Sequence, residues 1–146
     1  THTAECDGKK IGEWVTVNSA EELIVPTGAV SATITVGQKN VGKCMWDAVI
    51  FSAVGGDAFT DKLTNGSFAT DLSGWTMSVA EVEQDSVQFT NEENCVADGT
   101  YSAVFNGTQP SSDLALIQDI SVTGGEIYSL SACGRCMNNH IILILE

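Results

Sequence analysis

Gly28-Ala29-Val30-Ser31-Ala32-Thr33-Ile34-Thr35-Val36 is the stretch on which the fold class turns. In an extended chain successive side chains point to opposite sides, so Ala29, Ser31, Thr33 and Thr35 share one face and Val30, Ala32, Ile34 and Val36 the other. The apolar set is expected to face a core. The same alternation runs through Ser102 to Phe105 and through Ile127 to Ala132, where Ile127, Ser129 and Ser131 oppose Tyr128, Leu130 and Ala132. Elsewhere short runs rich in Val, Ile, Thr and aromatic residues recur between clusters of Gly, Asn, Asp and Ser, the pattern of strands joined by turns. Helical periodicity is almost absent. Only Ser19 to Ile24 predicts a helical turn, with Ser19 as cap and Glu22 completing a capping box. The fold class is all-β.

A chain of 146 residues has the size of one domain, and folding at that length buries roughly 70% of the surface the unfolded chain exposes. Its 19 acidic and 6 basic residues give a net charge of −13, which repels phosphate backbones and anionic head groups. Nucleic acid is therefore excluded as a partner, and so is membrane insertion, because the longest apolar run, Ile141-Ile142-Leu143-Ile144-Leu145, is too short to span a bilayer. The acidic surface attracts cations such as calcium and keeps the chain soluble. No signal-peptide pattern opens the chain, as expected of a mature chain or an excerpt.

Five cysteines without a metal-ligand pattern point to an oxidising compartment, outside the cell or at its surface. Cys133-Gly134-Arg135-Cys136 has the spacing of a zinc half-site or a redox pair. Zinc needs two more ligands, and beside the remaining cysteines only His2 and His140 are on offer. A low thiol pKa needs a helix amino terminus, whereas this pair sits at the end of a strand pattern. Structural disulfides among Cys6, Cys44, Cys95, Cys133 and Cys136 are the expected use, the odd cysteine staying unbonded or bonding a neighbouring unit. Asn65-Gly66-Ser67 and Asn106-Gly107-Thr108 are glycosylation sequons at Asn65 and Asn106. The histidines have no nucleophile motif beside them, so the chain is read as non-catalytic.

Glycine and acidic residues gather in 55–62 without a strand pattern, dividing a first piece, 1–54, from a second, 63–146. Neither reads as a domain alone. The second stops within its most hydrophobic strand, and a continuously apolar strand is normally buried inside a sheet, so a neighbour is expected beside it.

The second piece runs through Leu63-Thr64-Asn65-Gly66-Ser67-Phe68, Leu72-Ser73-Gly74-Trp75-Thr76 and Gly99-Thr100-Tyr101-Ser102-Ala103-Val104-Phe105 to the segment Leu116 to Ala132. In that order and spacing these resemble the amino-terminal two thirds of CenC-type carbohydrate-binding modules, which are galactose-binding-like jelly rolls. Ile24 to Ile34 and Trp46-Asp47-Ala48-Val49 resemble the closing strands of the same family, so the halves stand in permuted order. Joining Glu146 to Thr1 looks like the family's central strand followed by its Asp7-Gly8 turn. A circular permutant, one period of a tandem array and a subunit whose halves complete its neighbours all produce this order.

The resemblance implies a jelly-roll β-sandwich of two antiparallel sheets. It also implies a structural calcium, with Asp47 as side-chain ligand and the Asn65 region contributing carbonyls, although Ala48 and Ala69 stand where the family carries further acidic residues. Trp14, Trp46 and Trp75 are expected in the core, and Cys133 lies where the family places a tryptophan on the sugar-binding face. The function expected is a structural or adhesive repeat that assembles head to tail with neighbouring copies of itself into a filament or surface array. The alternative is a polysaccharide-binding module of a secreted glycoside hydrolase. A decoration domain of a virus particle shares the physics of the first.

Overall fold

The computed structural model describes residues 2–6, 11–19, 22–55, 61–90, 97, 99, 101–137 and 141–146, with the backbone alone for 2–6 and 141–143. Their strands are β1 (His2–Cys6), β2 (Trp14–Asn18), β3 (Leu23–Ile24), β4 (Ser31–Lys39), β5 (Gly42–Ala53), β6 (Thr76–Ser78), β7 (Val87–Thr90), β8 (Ser102–Gly107), β9 (Asp113–Ser121), β10 (Ile127–Cys136) and β11 (Ile141–Leu145). A 3-10 helix, Glu81–Ser86, joins β6 to β7. The strands form a jelly-roll sandwich of two antiparallel sheets. The first has the order β1-β11-β4-β9-β6, and the second the order β2-β10-β5-β8-β7, with β3 also on β10.

The pairing interleaves the two pieces of the chain. β1 pairs with β11, β2 and β3 with β10, β4 with β11 and β9, and β5 with β10 and β8. Every described strand of residues 1–54 is thus hydrogen-bonded to strands of 63–146 and to none of its own piece. The apolar β11 lies inside the first sheet, as its composition requires, between β4 and β1. His2 stands opposite Leu145, so the first and last strands are antiparallel neighbours rather than successive segments of one strand.

Alternation places the core as expected along β4, where Ala32, Ile34 and Val36 are buried. Val30 is 75% exposed because it precedes the strand, and its carbonyl accepts the Val122 N–H at 3.1 Å. Between the sheets Trp46, Phe51, Phe105, Tyr128, Leu114 and Leu116 are all buried, and the Phe51 and Tyr128 rings stack with centroids 4.9 Å apart. Aromatic rings of this size contribute the largest apolar areas to a sandwich core. Gln38 is the exception there: its amide is buried and neither polar atom has a hydrogen-bond partner.

The helical turn expected at Ser19 to Ile24 is replaced by strand. Leu23 and Ile24 pair with Tyr128 and Ile127, and the Ser19 hydroxyl accepts from the Leu130 N–H at 3.4 Å instead of capping a helix. The free edge of β10 offers backbone partners and a burial site for Leu23, which outweigh a weak local cap. Residues 20 and 21 lie outside the described residues.

Beyond Trp46, where its pairing with β8 ends, β5 is continued along the same edge by the segment 61–66. Phe51 N–H donates to the Asp61 carboxylate at 3.1 Å, Lys62 N–H to the Phe51 carbonyl at 2.7 Å and Val49 N–H to the Gly66 carbonyl at 2.9 Å. Gln118, buried on β9, fastens the same segment by receiving the Thr64 N–H at 2.7 Å and donating to the Thr64 carbonyl at 2.9 Å. Approach at Gly66 is so close that a Cβ there would stand 2.0 Å from the Val49 carbonyl oxygen. Gly66→Ala is accordingly expected to lower unfolding free energy in urea by about 2 kcal/mol or more, while Thr70→Ala, at an exposed position, shifts it by less than about 0.5 kcal/mol.

Candidate functional site

The outer face of the second sheet gathers most of the chain's unusual side chains. On β2, Val17 is buried and Val15 packs against the core, so Trp14, Thr16 and Asn18 project from the opposite face. Register places Trp14 beside Arg135, Thr16 beside Cys133 and Asn18 beside Ser131. The Arg135 Nε–H donates to the Gly12 carbonyl at 2.7 Å, which fixes the guanidinium stem next to the indole. Trp14 is half-buried, whereas Trp46 and Trp75 are 0% and 8% exposed and belong to the core. The expectation that all three tryptophans are core residues therefore fails at Trp14. Chemically, the β2–β10 half of this face is an apolar ring flanked by hydroxyl, amide and guanidinium groups.

Asp47 lies on the same face, next to Cys133 across the β5–β10 ladder, yet it is wholly buried. Its Oδ1 accepts the Ala48 N–H at 2.7 Å and its Oδ2 the Ala97 N–H at 3.0 Å. Ala48 has φ of 49°, a left-handed conformation, at the irregularity where the β5–β10 register shifts. A left-handed Ala costs on the order of 1–2 kcal/mol, and the Asp47 carboxylate offsets it by satisfying the freed N–H.

Asn65 organises the loop after this bulge. Its Nδ2 donates to the carbonyls of Asp71 at 2.9 Å and Ser73 at 3.0 Å, its Oδ1 accepts from Ala69 N–H at 2.9 Å, and its own carbonyl accepts from the Trp75 indole at 3.0 Å. These partners fix the amide orientation, since only the NH2 end donates to two carbonyls. The two carbonyls a cation would take are directed at an N–H donor. Among the described residues no group of three or more His, Cys, Asp or Glu is placed to hold a metal. Hydrogen bonds from the Ser73 side chain and then its backbone hold the Asp71 carboxyl below its ordinary value of 3.8. Its stabilising contribution is present above that ordinary value and is lost as pH falls through the lowered one.

The cysteines separate by face. β10 alternates half-buried and buried positions, so Cys133 projects outward and Cys136 inward. Side chains on opposite faces of one strand cannot share a zinc ion or bond to each other. Cys136 is instead opposite Cys44. The side chains of Cys6 and His2, and residues Cys95 and His140, lie outside the described residues. Of the sequons, Asn106 is exposed on β8, whereas the Asn65 nitrogen to which a glycan would attach makes the two hydrogen bonds above.

No family model, curated protein or solved structure matches this chain. Among the described residues no helix is long and apolar enough to cross a membrane. The feature that sequence reasoning missed is the outward Trp14, although alternation in Trp14-Val15-Thr16-Val17-Asn18 places it with Thr16 and Asn18. Gln118 and the Glu83 carboxylate, which accepts from the buried Ser112 hydroxyl, left no local signal at all. Asn65→Ala removes three side-chain hydrogen bonds and is expected to cost about 2 kcal/mol. The calcium expectation is checked by differential scanning fluorimetry, in which a melting temperature higher in millimolar calcium than in EDTA supports it and equal temperatures remove it.

Proposed function

We propose that this chain is a non-catalytic structural module of the cell exterior or surface, which joins copies of itself head to tail by letting residues 1–54 of one copy complete residues 63–146 of the next. The observation that supports this reading is the interleaving: each described strand of the first piece has its ladder partners in the second, across a single connection at 55–62. Ladders made within one chain and between two chains contain the same bonds, so exchange costs little enthalpy and a heterologous contact propagates. The net charge of −13 opposes the approach of copies, so added salt favours exchange by screening. Refolding at rising protein concentration and moderate salt is expected to yield a ladder of soluble oligomers by light scattering with unchanged β-sheet circular dichroism. A strictly monomeric product at every concentration and salt level removes this reading.

Trp14 favours a second reading, a polysaccharide-binding module of the kind the CenC-type resemblance implies. A half-exposed indole beside Arg135, at one end of a row continued by Thr16 and Asn18, offers a stacking surface with hydrogen-bonding groups along the same face. Isothermal titration with soluble β-glucan or xylan is expected to show binding that Trp14→Ala weakens about tenfold or more. Equal affinity in both proteins, or none in either, removes it.

A further inference from the structure

We infer that Cys44 and Cys136 form a cross-strand disulfide in oxidising surroundings, and that this bond ties the two pieces of the chain covalently in addition to the peptide connection at 55–62. The two residues are direct partners in the β5–β10 ladder, and both are buried, at 0% and 1% exposure. The neighbouring position is hydrogen-bonded, Met137 N–H donating to the Lys43 carbonyl at 2.9 Å. Alternation of the antiparallel ladder then makes Cys44 and Cys136 a non-hydrogen-bonded pair, the kind whose Cα atoms stand about 4.5 Å apart with side chains closest. That spacing falls within the roughly 4.4–6.8 Å that a disulfide spans. Both side chains project to the interior, where the Cys44 thiol points to the Gly37 carbonyl at 4.0 Å. The Trp46 indole already donates to that carbonyl at 3.1 Å, so it keeps a partner when the thiol proton is lost. Cys133, on the outer face, is no competitor for either.

The chemistry balances against a small disulfide such as oxidised glutathione. One cysteine thiolate attacks a glutathione sulfur and expels a glutathione thiolate; the second attacks the resulting mixed disulfide and expels the other. The protein loses two protons and two electrons, and two glutathione thiols carry them away. Burial of both sulfurs means that exchange takes place before β5 and β10 close on each other.

The pairing itself does not depend on strand exchange, but its further consequence rests on the function proposed above. Cys44 belongs to 1–54 and Cys136 to 63–146, so a copy completed by itself carries the bond within one chain and an exchanged copy carries it between chains. The test is to refold the full chain with reduced and oxidised glutathione, block thiols, and digest without reduction for mass spectrometry. A Cys44–Cys136 linked peptide is expected, and reduction is expected to lower the melting temperature by roughly 10 °C, a dependence absent from Cys44→Ala/Cys136→Ala. Recovery of both cysteines as blocked thiols, or of either bonded to Cys6, Cys95 or Cys133, overturns the inference. Linked peptide found in the monomer band alone keeps the disulfide and argues against exchange. Linked peptide found in oligomers that persist in unreduced gels and collapse to monomer on reduction supports both.

Discussion

The structure depends on one constraint: in both sheets the backbone hydrogen bonds of the first third of the chain are made by the last two thirds. β4 is held between β11 and β9, and β5 between β10 and β8, so the central strands of each sheet have edges that nothing in residues 1–54 satisfies. An unpaired buried N–H or carbonyl costs free energy comparable to a lost hydrogen bond. The described strands of the first piece therefore find their ladder partners only in the second. Cys44 opposite Cys136 and Cys133 beside Asp47 both lie on this seam.

A second set of contacts closes the end of the sandwich where β8 leaves β5. Asp61, Thr64, Asn65 and Gly66 each replace a strand partner with a side-chain or turn contact, and Gln118 does so from the opposite sheet. Close approach at Gly66 and the left-handed Ala48 are two sides of one geometry: β5 bulges, and the loop fills the space beside it. The same packing commits the Asn65 side-chain nitrogen as a donor to two carbonyls.

Local pattern read well where one face is buried and one is wet. Gly28 to Val36 and Ile127 to Ala132 alternate cleanly, and of their expected inward sets all but Val30 are core residues. It read poorly where a partner far along the chain decides. Ser19 to Ile24 carries a helix cap, yet β10 draws Leu23 and Ile24 into a sheet edge. The Cys133 to Cys136 spacing resembles a ligand pair only until strand geometry turns the two sulfurs to opposite faces. Trp14 looks like a core tryptophan by residue type, and its exposure follows from the parity of its strand.

By itself the sequence determined the all-β class, the inward faces of the longer strands and the need for a neighbour beside Ile141 to Leu145, because alternation and apolar runs are local consequences of side-chain hydrophobicity. Only the tertiary structure decided which strands meet. It supplied β1 as the neighbour of β11, set Cys44 against Cys136, and turned the Asn65 amide onto two carbonyls. The first two outcomes depend on the register between segments about 90 to 140 residues apart, and no local pattern encodes the register of strands brought together only by the closing of a common core, whereas the Asn65 contacts are made within its own loop.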